Sequence, residues 1–127
     1  MIPQPISKPY DKSHRILLID YYITLPSGLT IVVKAGLIYD GASFPAFLYT
    51  WFRPFSPEFE PFAVFHDACF QRELTVLEDG TEVTLKIANQ IGVEICKMNG
   101  VHAFKVWAIQ SGLMLGSWIP WYFNSNK

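Results

Sequence analysis

The chain has no excess of positive charge: lysine and arginine number 10 against 11 aspartates and glutamates, for a net charge of −1. Non-specific nucleic-acid binding rests on a basic face, so that class of partner is not expected. Cysteine is scarce, with only Cys69 and Cys96. Two are too few for a secreted disulfide scaffold, and they read as buried thiols of a reducing compartment. The opening stretch, MIPQPISKPYDKSHR, lacks an apolar run and is not a signal peptide. Internal repeats and interdomain linkers are also missing.

What is present is a packed core. Half of the 127 residues are hydrophobic and 16% are aromatic, which suits one domain over residues 1–127 and leaves no room for two ordinary ones. One uncharged run, residues 106–123 (VWAIQSGLMLGSWIPWYF), just reaches the length of a membrane span. Its aromatic end and the flanking Lys105 are features of a membrane interface. Gln110, Ser111, Ser117, two glycines and Pro120 weigh against spanning, so the run reads as a buried helix followed by an aromatic tail over 118–127.

Along the chain, residues 1–12 are proline-rich and read as an extended surface arm. Residues 15–24 (RILLIDYYIT) and 29–34 (LTIVVK) flank Leu25-Pro26-Ser27-Gly28 and predict a hairpin, with a short third strand over 37–39. Residues 47–52 suggest a helical turn. The segment 59–73 (FEPFAVFHDACFQRE) predicts a central helix. On it Phe62, His66, Cys69 and Glu73 form one stripe, and Ala63, Asp67, Phe70 and Leu74 the next. Residues 73–85 alternate around Asp79-Gly80 and predict an inserted hairpin standing out from the body, dispensable for folding. Ile87, Ile91 and Ile95 give 86–98 a helical period, closed by Asn99-Gly100, and 101–115 form a last helix. The fold class is α+β: a small antiparallel sheet in the N-terminal half, then about three packed helices.

His66 and Asp67 sit among Phe, Ala, Val and Cys, where ionisable groups need partners. Asp40 and Ser43, in the loop Asp40-Gly41-Ala42-Ser43, and Asn89 are the candidates. Asp40, His66, Asp67 and Asn89 would suit a divalent cation. His66, with Asp40, Asp67 and Ser43, would suit general-base catalysis. A Ser-His-Asp arrangement of Ser43, His66 and Asp40 or Asp67 is weakened because no Gly-x-Ser-x-Gly elbow surrounds Ser43. Zinc held by His66, Cys69, Cys96 and His102 has fitting ligand types at spacings that match no zinc module. Against all of these stands a purely structural reading, in which Asp40 and His66 form a buried pair that locks the fold.

Ala35-Gly36-Leu37, then Asp40-Gly41-Ala42-Ser43-Phe44-Pro45, then Ala63-Val64-Phe65-His66-Asp67 resemble domain-of-unknown-function family 1353. The likeness runs from about Leu29 to Trp107. It departs at Lys34, where the family pattern has Pro, and at Asn89, where it has Asp. The resemblance implies a small protein of the tailed-bacteriophage and prophage kind, placed in the bacterial cytoplasm or the virion. It brings no established reaction, and it marks Asp40, Ser43, His66 and Asp67 as the site residues. Two functions are carried forward: a His-dependent or metal-assisted hydrolase, and a non-catalytic accessory or virion protein. In the second, Trp118, Trp121 and Tyr122 of the tail bind other phage proteins.

Overall fold

The structure, a computed structural model, describes residues 2–39 and 56–116. Asp40, Ser43, the turn expected over 47–52 and the aromatic tail lie outside the described residues. Five strands precede three helices: β1 (Ser7–Pro9), β2 (Arg15–Leu17), β3 (Tyr21–Thr24), β4 (Thr30–Val33), β5 (Ile38–Tyr39), α1 (Glu60–Phe70), α2 (Leu85–Met98) and α3 (Ala103–Gly116). This is the expected α+β order, with all strand pairs antiparallel.

The strands divide into two small sheets, one in the order β1-β2-β5 and one of β3-β4. In the second, Tyr21, Ile23, Ile31 and Val33 alternate into the core, and Gly28 at φ +93° closes the turn. Its positive φ suits the one residue without a Cβ. The long strand expected over residues 15–24 is cut in two. Leu17 donates to the Leu37 carbonyl and accepts from Gly36, while the Asp20 carboxylate takes the Ala35 amide at 2.8 Å. These bonds turn the chain between β2 and β3, leaving Leu18 and Ile19 exposed. Within the proline-rich arm, β1 pairs with β2, and the Tyr21 hydroxyl donates to the Pro3 carbonyl.

The core gathers around α1. From Pro61 to Phe70 every residue is buried except His66 and Asp67. Pro61 suits the first turn, where a missing N–H costs nothing. Both α1 and α2 end in the same motif. At α2, Gly100 (φ +80°) donates to Lys97 and Val101 to Cys96; at α1, Arg72 (φ +62°) donates to Cys69 and Glu73 to Ala68. Thr84 caps the start of α2 by accepting from Ile87 at 3.2 Å.

Asn99, the buried polar residue at the end of α2, donates to the Pro57 and Glu58 carbonyls, both at 2.8 Å. Its Oδ1 accepts from the Ile2 amide at 3.2 Å. The end of α2 therefore meets the start of α1, and the two helices run antiparallel. Between them Gly92 faces the Phe62 ring, where an added Cβ would stand 2.8 Å from a ring carbon.

The inserted hairpin does not stand clear of the body. It is short, with a single bridge between Val76 and Glu82. Leu77 and Val83 on its inner face are buried in the main core. Its alternation serves the central packing, so its dispensability is not expected after all.

Candidate functional site

The site begins with the spacing Phe62, His66, Phe70. Residues four apart on a helix lie one above the other, and here the His66 ring stacks between two phenyl rings. Its centroid lies 5.1 Å from Phe62 and 4.2 Å from Phe70, at interplanar angles of 30° and 25°. The stack fixes the plane of the imidazole. Nδ1 faces the neighbouring Asp67, whose Oδ1 is 3.9 Å away. That is beyond a hydrogen bond. The side chains are 20% and 15% exposed, a narrow window in an otherwise buried helix. The opposite nitrogen, Nε2, is buried and has no hydrogen-bond partner among the described residues. Buried polar atoms are normally paired, so this nitrogen stands out. Oδ1 of Asn89, on α2, and Oε1 of Gln4 are in the same condition.

His66 and Asp67 are thus brought together as neighbours on one face, while Asp40 and Ser43 fall outside the described residues. The quartet His66, Cys69, Cys96 and His102 is not assembled. No group of three or more His, Cys, Asp or Glu among the described residues is placed to hold a metal ion. The reason is topological: Cys69 and Cys96 sit near the C-terminal ends of two antiparallel helices, and so at opposite levels. Burial pushes each thiol up to about 12. His102 is exposed and accepts the Phe104 amide at the start of α3.

A second polar cluster went unforeseen in the sequence. Glu60, in the first turn of α1, accepts from the Tyr39 hydroxyl at 2.8 Å and from Ser7 at 3.4 Å, with Arg15 Nε at 3.6 Å. Arg15 also donates to Ser7 Oγ at 2.8 Å. Register explains the meeting, because Arg15 lies on the central strand opposite both Pro9 and Tyr39. Burial, then the nearby Glu60 carboxylate, raises the Tyr21 phenol above its ordinary value. Burial is also the main cause for Tyr39. This cluster ties three strands to α1. No local signal announces it, since a glutamate in a helix's first turn is commonplace.

Among the described residues no helix is long and apolar enough to cross a membrane. Comparison with curated proteins and with solved structures yields no match. The profile of the family described as "Protein of unknown function (DUF1353)" matches residues 16–112. That span takes in both sheets apart from β1 and Arg15 of β2, the His66 stack, all of α1 and α2, and much of α3. The chain belongs to this family.

Proposed function

We propose that the protein is a His-dependent hydrolase in which His66 is the general base. The observation that carries this reading is the buried Nε2, without a partner among the described residues, on a ring clamped by Phe62 and Phe70. A histidine kept only for packing would spend that nitrogen on a carbonyl or hydroxyl. Here the ring is held in one orientation, and among the described residues the lone pair or proton of its Nε2 is uncommitted. In the reaction Nε2 takes a proton from the attacking water and returns it to the leaving group. Asp67 lies on the Nδ1 side of the ring, at 3.9 Å. The metal-assisted variant has less support, since the described residues offer no three-ligand group. The resemblance to a family met in tailed bacteriophages supports a setting in a phage or its bacterial host.

The test compares wild type, His66→Gln and His66→Ala for hydrolysis of chromogenic carboxylic and phosphoric esters. Urea unfolding is followed in parallel, with and without a divalent cation. Loss of hydrolysis in both variants, with stability changed by less than about 1 kcal/mol, is the expected result. An inactive wild type, together with a loss of about 3–5 kcal/mol in His66→Ala, would instead make His66 a structural lock. The protein would then be a non-catalytic accessory or virion component. The aromatic pair Phe104 and Trp107, 60% and 64% exposed on α3, favours this second reading as a surface for a protein partner.

A further inference from the structure

Nε2 of His66 and Oδ1 of Asn89 belong to different helices, and each is buried without a hydrogen-bond partner among the described residues. Two contacts set their relative level. Gly92 lies against Phe62, and Asn99 binds the carbonyls of Pro57 and Glu58, so α2 runs back along α1. Asn89 precedes Gly92 by about one turn, and His66 follows Phe62 by about one turn. In an antiparallel pair both steps lead the same way along the seam, which carries the two residues to the same level.

We propose that Asn89 is the substrate-positioning partner of His66, and that the pair takes a hydroxyl or amide N–H of an uncharged substrate. This rests on the reading of His66 as the working residue. An amide oxygen is an acceptor, and only a donor satisfies it. Carboxylates are acceptors alone and would face Oδ1 with like polarity. The phenyl rings of Phe62 and Phe70 beside the imidazole suit a neutral group over an ionic one. An acceptor buried without a partner also weakens the ligand-free fold, so the seam carries a penalty that a bound donor relieves.

Acetamide and acetate, equal in shape and opposite in donor capacity, are the probes. The His66 imidazole resonances are followed by NMR as each is added to wild type and to Asn89→Leu. Acetamide should shift them in wild type and acetate should not, and Asn89→Leu should lose the acetamide response. The same substitution removes the unpaired acceptor and should raise the ligand-free Tm by about 4 °C. Equal responses to the two probes, or an acetamide response that survives Asn89→Leu, would overturn the proposal. Should Asn89→Leu fail to fold, the contrast between probes in wild type still decides. The readout is binding: a protein that discriminates acetamide yet hydrolyses no ester refutes the hydrolase and leaves the Asn89 pairing standing. Hydrolysis without discrimination does the reverse.

Discussion

Helix α1 treats two of its partly buried polar side chains in opposite ways. Glu60, in the first turn, is met by Tyr39, Ser7 and Arg15 on a single carboxylate oxygen. His66, less than two turns on, is stacked between aromatic rings with Nε2 unpaired among the described residues. A saturated cluster contributes to stability and gives little scope for chemistry. An orphaned nitrogen costs stability and retains its capacity to bind. The difference separates a cluster that holds the domain together from the nitrogen on which the proposed function rests.

The comparison breaks most visibly at Glu60. Glu60→Ala removes the acceptor of the Tyr39 hydroxyl and the carboxylate beside Arg15. Unfolding in urea should show a loss of about 2–4 kcal/mol, discounted below a fully buried pair because Arg15 is partly exposed. A loss no larger than that in His66→Ala would erase the distinction. Gly92→Ala comes next, since the new methyl presses on Phe62 at 2.8 Å. The expected cost is about 1–3 kcal/mol, with ester hydrolysis falling as the displaced ring disturbs the His66 stack. His66→Ala follows, at less than about 1 kcal/mol.

The pH dependence sharpens the same contrast. Burial raises the Tyr21 and Tyr39 phenols above 10.0, and the Cys69 and Cys96 thiols from 9.0 to about 12. A raised folded value means that the folded chain keeps protons the unfolded chain sheds. This stabilisation is complete below pH 9.0 and falls as pH rises, first through the thiols and then through the phenols. Each group contributes a slope of at most about 1.4 kcal/mol per pH unit. Urea midpoints from pH 8 to 11 should decline, and Tyr39→Phe should flatten the upper part of the curve. The smallest expected effect is at Arg72, a non-glycine residue at φ +62°. Arg72→Gly relieves the left-handed strain and should change stability by about 1 kcal/mol or less; a large loss would show that its guanidinium outweighs the strain.

Local pattern was enough to read the β3–β4 hairpin, because Tyr21, Ile23, Ile31 and Val33 alternate, and to read the three helices in order. The Phe62–His66 half of the stack was also legible, as residues four apart on one stripe. Partner choice between distant strands was not. Residues 15–24 look like one strand, yet Asp20 turns to cap Ala35, and β2 pairs with β1 and β5 instead of continuing. Nothing near Tyr39 or Glu60 hints that they meet, since their bond depends on where β5 crosses α1. The hairpin over 73–85 was recognisable, but which of its faces found the core was not.

Asn99 also sets an order of events in biosynthesis. Its side chain ties Ile2, Pro57 and Glu58 into one knot, so the start of the chain cannot take its final place until α2 has been made. As the polypeptide emerges, residues 7–39 can form their sheets early, while the Pro57 and Glu58 carbonyls just ahead of α1 wait for Asn99. Closure is late and long-range, the condition under which folding is slow relative to local helix and hairpin formation. A released chain truncated just before Asn99 should therefore be more readily cut by protease near Ile2 and Pro57 than the full 127-residue chain.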